Sequence, residues 1–146
     1  MTKENSMKRL ALPAILAGLV LVASWARAAD VKVIANSSVA ATSVSADELK
    51  SVFLQNSNSL SDGSHVQPVL AKGGPAHDAF LKLYLGKSDS ALQTYYRSLV
   101  FTGKGSMPKV LGSDAEITAY VARTRGAIGY VSTEASAAGA KTLQVK

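Results

Sequence analysis

The sequence predicts a three-layer α/β domain, in which helices cover both faces of a mostly parallel sheet of about four strands. Two observations point to it: short β-branched runs alternate with segments of helical spacing, and polar or glycine-rich turns separate them. Neither an internal repeat nor a linker interrupts the alternation, so one domain is expected. Apolar residues make up 47% and charged residues 18% of the 146, a composition that excludes a disordered chain.

Four segments are rich in β-branched or alternating apolar residues and are predicted to be strands. They span residues 31–35, 65–70, 127–131 and 141–145. Pro68 interrupts the second segment, which is typical of a strand at the edge of a sheet or of a bulge.

Helix boundaries are indicated by residues that satisfy free backbone N–H groups and by glycines that stop a helical stripe. Gly86 and Gly126 follow apolar stripes and are the expected stops. The predicted helix starts are Ser45 with Glu48 and Ser113 with Glu116, both spaced as capping boxes, then Pro75 after two glycines, and Ser88 or Ser90.

Residues 1–28 are predicted to be a cleaved export signal rather than part of the fold. Positive residues precede an apolar run over residues 10–23, and Ala26-Arg27-Ala28 has the small-x-small pattern of a cleavage site. The run is shorter than the roughly 20 residues of a membrane-spanning helix, and an uncleaved membrane anchor is the alternative. Residues 29–146 would then form a periplasmic domain.

Most of the basic charge belongs to this N-terminal segment. The whole chain has a net charge of +6, whereas residues 29–146 contain 12 basic and nine acidic residues, a net charge of +3. Such a small excess is not the footprint of a nucleic-acid-binding protein, so no nucleic-acid partner is predicted. The absence of cysteine excludes disulfides, thiolate metal sites and thiol nucleophiles.

Polar segments that follow predicted strands are the candidate ligand site, because open α/β sheets bind ligands beyond the carboxyl ends of their strands. The Lys72 segment favours an anion, since glycine N–H groups, the positive end of the next helix and an ammonium group would meet there. A Gly-Gly-Pro sequence also makes an ordinary strand-to-helix turn, which is the alternative interpretation. The three segments are Asn36-Ser37-Ser38, Lys72-Gly73-Gly74 and Ser132-Thr133.

No catalytic residue, metal ligand or cofactor is predicted. His65 and His77 each lack a second histidine or a carboxylate at the spacing of a metal site. His77 and Asp78 are neighbours, so on a helix they point about 100° apart, which is wrong for a base and its orienting acid. The glycine-rich loop around Lys104 lacks the spacing of a nucleotide-binding P-loop, and no G-x-S-x-G sequence marks a hydrolase.

Several segments together resemble the phosphate-binding proteins of ABC transporters, within the type II periplasmic binding protein superfamily. The resemblance runs from about Val33 to Val131, which is nearly the whole of residues 29–146. Each segment is common alone, but their order and spacing are fairly specific for the fold. They are DELKSVFL at 47–54, SDG at 61–63, FTGKG at 101–105 and GAIGYV at 126–131.

The resemblance implies a periplasmic solute-binding protein for a small oxyanion, phosphate in that family, that works with an ABC-type membrane transporter. A complete binding protein of this kind has two lobes that close on the ligand, and residues 29–146 supply one. We expect a monomer, with a two-fold dimer that brings two Lys72 loops together as the alternative. The expected ligand donors are Asn36, Ser37, Ser38, Lys72, Gly73, Gly74 and His77, with Lys104 closing over them.

The candidate anion loop departs from the family pattern, in which an Arg-Ser-Asp-Gly-Ser-Gly-Thr type segment holds phosphate with hydroxyls and amides. Residues 71–77 keep the glycines but lack those hydroxyls. Lys72 offers a point charge in place of a bidentate arginine, and Pro75 has no N–H. The alternative function is therefore a non-enzymatic periplasmic interaction module, such as a sensor or transporter accessory, that kept the lobe and lost the ligand.

Overall fold

A computed structural model describes residues 31–146 as one six-stranded sheet with helices. The predicted export signal, residues 1–28, lies outside the described residues. The strands are β1 (Val31–Ala35), β2 (Ser43–Val44), β3 (Gln67–Ala71), β4 (Lys109–Leu111), β5 (Ala127–Ser132) and β6 (Lys141–Val145). The helices are α1 (Ala46–Phe53), α2 (Pro75–Phe80), α3 (Asp89–Phe101) and α4 (Asp114–Arg123), and α2 continues into a π-helical turn, Leu81–Leu85.

The strand order is β2-β6-β1-β5-β3-β4. Strands β5, β3 and β4 are parallel to one another, and β2 is parallel to β6, whereas β1 runs antiparallel to both of its neighbours, β5 and β6. The predicted α/β fold is confirmed, and all four predicted strands are present. The sheet is mixed, however, and has six strands instead of about four. The two additional strands, β2 and β4, were not predicted because strands of two and three residues are too short to give a sequence signal.

Helices cover both faces of the sheet, as two consecutive residues of β5 demonstrate. Successive side chains of a strand point to opposite faces. A side chain at Gly129 would meet Ile117 and Val121 of α4. The next residue, Tyr130, stacks on Phe80 of α2, with ring centroids 3.9 Å apart. The apolar core therefore lies on both sides of β5, which is buried over Ala127–Val131.

The start of α1 is the predicted capping box. The Ser45 hydroxyl accepts a hydrogen bond from Glu48 N (3.1 Å), and the Glu48 carboxylate accepts one from Ser45 N (2.9 Å). The other carboxylate oxygen accepts from Ser61 N (2.7 Å), which ties the loop before β3 to the helix. The bonds from Ser45, and then those from Ser61, lower the pKa of Glu48 from 4.5 to about 2.

After α4 ends, the backbone of Gly126 connects β5 by hydrogen bonds to the loop after β1 and to the start of β3. Gly126 has a φ of +76°, and a side chain there would meet the His65 carbonyl oxygen at 2.9 Å. Its N–H donates to the Ser38 hydroxyl (3.0 Å), and its carbonyl accepts from Gln67 N (2.8 Å). The sequence predicts Gly126 as the stop of α4, but α4 ends at Arg123 with Thr124 as its extended C-cap, so Gly126 belongs to the turn before β5. Glycine is required in this turn both for the left-handed conformation and for the close approach.

We expect Glu48→Gln to lower the free energy of unfolding by about 1 kcal/mol at neutral pH, because the charged cap is lost. A carboxylate whose folded-state pKa is lowered stabilises the fold above its unfolded pKa, and this contribution disappears as the pH falls from 4.5 towards 2. Urea unfolding of both proteins across that range measures the difference. Glu134→Gln makes the same charge change on an exposed residue and is the control. A difference that does not depend on pH would contradict the prediction.

Gly126→Ala is expected to lower the free energy of unfolding by about 2 to 4 kcal/mol, as backbone strain and the clash with His65 add together. Gly103→Ala is the matched control, because Gly103 has a φ of +68° with nothing near the position of a Cβ. It should cost about 1 kcal/mol from strain alone. Equal losses in urea unfolding would show that the contact with His65 does not matter.

Candidate functional site

An exposed loop without a side-chain cap lies between β3 and α2, at the carboxyl end of β3. Lys72, Gly73, Gly74 and Pro75 are all exposed. Gly74 precedes the first turn of α2 with a φ of +103°, and no side chain caps that turn. The first-turn N–H groups of a helix need a partner from outside the helix, and an anion can supply it. We call residues 72–75 the Lys72 loop.

A single hydroxyl fixes both ends of this loop. Ala71 N donates to the Tyr130 hydroxyl (3.1 Å), and that hydroxyl lies 2.5 Å from His77 Nδ1. The Asp89 carboxylate can only accept, so His77 Nε2 carries a proton and donates to Asp89 Oδ1 (2.8 Å). In a neutral ring His77 Nδ1 then has no proton and accepts from the Tyr130 hydroxyl. A continuous chain of hydrogen bonds thus joins β3, β5, α2 and α3.

Tyr130 is a stable donor in this network. Burial raises its pKa above the ordinary value of 10, so the phenol keeps its proton. The ring is clamped by Phe80, stacked at 3.9 Å with an interplanar angle of 7°, and by Phe53 at 5.9 Å. The aromatic packing therefore sets the position of the hydroxyl, and the hydroxyl sets the ends of the Lys72 loop.

His77 lies behind the Lys72 loop rather than on its surface. Its side chain is only 1% exposed, and both ring nitrogens have partners inside the protein. The sequence predicted it as a ligand donor, but the geometry makes it a residue that positions the loop. Its acidic partner, Asp89, was missed, because it stands twelve residues further along, beyond the π-helical turn, where no motif connects the two.

The structure places Asn36, Ser37 and Ser38 at the opposite end of the sheet from the Lys72 loop. Because β1 is antiparallel to β5, its last residue, Ala35, pairs with Ile128 near the start of β5. The loop after β1 therefore lies where β5 and β3 begin, whereas the Lys72 loop lies where β3 ends. The structure does not bring the two predicted groups of donors together.

The Asn36 side chain is used within the fold. It is buried, and its amide nitrogen donates to the carbonyls of Val121 (2.8 Å) and Ala122 (3.0 Å) at the end of α4. Its oxygen accepts from Ser38 N (2.9 Å). The Ser37 side chain is exposed, and the Ser38 hydroxyl accepts from Gly126. Asn36 thus closes the last turn of α4 rather than facing solvent.

Lys104 belongs to a loop that leads into the start of β4, not to one that covers the Lys72 loop. Gln55 holds this loop with two hydrogen bonds to the backbone of Ser106, of 2.5 and 3.1 Å. Gly105 packs so closely that a side chain there would meet Gln55 Oε1 at 2.5 Å. Since β4 runs parallel to β3, its start lies away from the carboxyl end of β3, where the Lys72 loop lies.

Acidic side chains already occupy the start of α4, at the same end of the sheet as the Lys72 loop. Asp114 accepts from the hydroxyl (2.7 Å) and the backbone N–H (3.2 Å) of Ser132. The Glu116 carboxylate accepts from Gly112 N (2.9 Å) instead of Ser113 N, so the second predicted capping box is only half formed. Two carboxylates at the start of α4 disfavour the binding of an anion there. Of these two helix starts, that of α2 is therefore the better anion site.

Over residues 31–146, no three His, Asp or Glu side chains come together in a way that could hold a metal ion. In the same part of the chain, no helix has the length and apolar character needed to cross a membrane.

The fold, a mixed sheet of six strands with helices on both faces, matches one lobe of a domain like those of periplasmic binding proteins. Solved structures share it. The ABC-type phosphate transport receptor from Vibrio cholerae is 13% identical, with a TM-score of 0.60, and the match covers 80% of this chain and 46% of that one. The resemblance predicted from the sequence is thereby confirmed for the fold.

Two further solved structures have the same arrangement. A phosphate ABC transporter substrate-binding protein with bound phosphate from Clostridium perfringens is 16% identical, with a TM-score of 0.59, over 80% of this chain and 44% of that one. PstS from Borrelia burgdorferi is 12% identical, with a TM-score of 0.52, over 80% and 47%. The chain thus spans less than half the length of each. No protein-family model and no curated protein matches it.

We expect Tyr130→Phe to lower the free energy of unfolding by about 1 to 3 kcal/mol, because the ring still packs on Phe80 while Ala71 N–H and His77 Nδ1 lose their buried partner. Urea unfolding measures the loss. Tyr84→Phe removes a hydroxyl from a neighbouring ring outside the hydrogen-bond chain and is the control. Losses of the same size would contradict a special role for the Tyr130 hydroxyl.

Proposed function

We propose that this protein is a non-enzymatic, periplasmic solute-binding protein that takes a small oxyanion, phosphate, at the Lys72 loop. The proposal rests on the exposed Lys72 loop, which leads into a helix start that no side chain caps. The Tyr130 hydroxyl holds this loop from both sides, through Ala71 before it and His77 after it. A turn held in this way keeps its N–H groups in place before the ligand arrives, so little conformational entropy is lost on binding.

The donors on this side of the sheet are the Lys72 ammonium and the backbone amides of Gly73 and Gly74, because the Lys72 N–H already donates to the Leu111 carbonyl (2.8 Å). The Lys72 ammonium supplies the positive charge, and Gly73 and Gly74 allow the backbone to approach an anion closely. Pro75 contributes no N–H, and His77 acts from behind. Binding from one side leaves part of the hydration shell of the anion in place, so we expect modest affinity.

The solved structures support phosphate as the anion and an ABC transporter as the partner. One is a phosphate transport receptor, one is a phosphate ABC transporter substrate-binding protein that holds phosphate, and the third is PstS. Each of those chains is more than twice as long as the matched part. A second lobe would supply donors from the other side of the ligand.

Phosphate binding should weaken about tenfold in Lys72→Gln, because a charge-assisted hydrogen bond is lost. Isothermal titration of the whole protein with phosphate measures it, and rising salt should weaken binding to the unchanged protein as well. Lys104→Gln is the matched control, since it removes the same charge from the exposed turn between α3 and β4. Equal weakening in both variants would indicate a general charge effect instead of a site at the Lys72 loop.

A second candidate function, that of an interaction module for a membrane sensor or transporter, is favoured by the separation of the predicted donors. Asn36 and Ser38 lie at the other end of the sheet and bond within the fold, and the loop lacks the hydroxyls of the family pattern. If the unchanged protein gives no heat at millimolar phosphate and none with sulfate, the proposal fails. The chain would then be an interaction module of a membrane sensor or transporter, identified by its co-purification from the periplasm.

A further inference from the structure

An exposed apolar cluster lies at the end of α3, away from the Lys72 loop. Phe101 is 94% exposed, Val100 47% and Met107 44%. Gly103 turns the chain back with a φ of +68°, and the amides of Lys104 and Gly105 bond to the Leu99 carbonyl (2.9 and 3.2 Å). Val100 and Phe101 are thus the last residues of α3, held next to a fixed turn, and Met107 follows that turn. Their exposure is notable because burying a phenylalanine is far more favourable than leaving it in water.

Basic residues accompany these apolar residues along the chain, and acidic residues are absent from the same segment. Between residues 90 and 113 there is no Asp or Glu, whereas Arg97, Lys104 and Lys109 are all exposed. Lys109 and Arg123 both approach the ring of Tyr120, each at 5.8 Å from its centroid, so two basic groups lie beside α4, where Glu116 accepts from Gly112 N one turn earlier. The charge of the surface is thus complementary to an anionic partner.

The fold itself does not require these side chains. Phe101, Val100 and Met107 lie outside the apolar core and outside the group that packs against it. The turn that presents them is nevertheless built firmly, because Gln55 bonds to Ser106 twice and leaves no room for a side chain at Gly105. An exposed apolar cluster on a well-fixed turn is typical of an interaction site.

We propose that Val100, Phe101 and Met107, together with Arg97, Lys104 and Lys109, dock on an anionic lipid surface. We call these six residues the Phe101 patch. The Phe101 ring and its apolar neighbours enter the boundary between head groups and acyl chains, where aromatic side chains are favoured. The lysines and arginine meet the lipid phosphates. The patch is independent of the Lys72 loop, so the two proposals stand or fall separately.

The size and shape of the patch favour a lipid surface over a protein. A stable protein interface needs about 20 to 30 residues on each side and a well-packed centre. The Phe101 patch has a few side chains on a turn, and its most apolar member is almost fully exposed. A fluid lipid surface adapts to such a projection without a matching pocket.

A tryptophan at position 101 tests the insertion directly. Trp25 is the single tryptophan of the chain, so Trp25→Phe with Phe101→Trp places the only reporter in the patch. With vesicles of equal parts phosphatidylglycerol and phosphatidylcholine, we expect a blue shift of its emission and quenching by brominated acyl chains. Pure phosphatidylcholine and free inorganic phosphate should produce neither effect. An emission spectrum that the anionic vesicles leave unchanged would overturn the proposal.

The matched control places the reporter at another exposed apolar residue. Leu83 is 51% exposed on the π-helical turn, outside the patch. Trp25→Phe with Leu83→Trp should show no shift, even if residues 1–28 bring the chain to the vesicles. Equal shifts at positions 83 and 101 would overturn docking through the patch.

The charged half of the patch has its own test. Lys104→Gln with Lys109→Gln, in the chain with the reporter at position 101, should weaken binding to the anionic vesicles about tenfold or more. The far-ultraviolet circular dichroism should stay the same, since both side chains are exposed. Undiminished binding would contradict an electrostatic contribution and, with it, the preference for anionic lipid.

Discussion

The hydroxyl of Tyr130 is the contact on which the arrangement of the candidate site depends. It accepts from the last amide of β3, shares a hydrogen bond with His77 in the first turn of α2, and reaches Asp89 at the start of α3 through that histidine. Stacking on Phe80 fixes the ring, and burial keeps the phenol protonated. Because both ends of the Lys72 loop are held by one oxygen atom, the core determines the shape of an exposed turn.

The direction of β1 is the second constraint. Running antiparallel to β5, it places the loop after it at the beginning of β5 and β3, next to the end of α4. There Asn36 and the backbone of Gly126 serve the packing of α4 against the sheet. The carboxyl ends of β3, β4 and β5 form a separate edge, where Glu116 accepts from Gly112 and Asp114 accepts from Ser132, and where the Lys72 loop is exposed.

The two ends of the sheet therefore differ in chemistry. One end presents the Lys72 loop, where a small anion could meet amides and one ammonium group. Towards the other end lie the exposed apolar and basic side chains of the Phe101 patch, held by Gln55 on the turn before β4. A solute-binding site and a membrane-docking surface on separate parts of one small lobe would keep the ligand loop clear of the lipid.

The sequence by itself determined what depends on neighbours within a few residues: the Ser45–Glu48 capping box, the glycine stop at Gly86, and the four longer strands. Such signals are local, since caps, turns and periodicity act over about four residues. Only the tertiary structure decided the reversal of β1, the short strands β2 and β4, and the partners of His77, which come from residues 12 and 53 positions away. No local pattern encodes such contacts, because they form only when the sheet brings distant segments together.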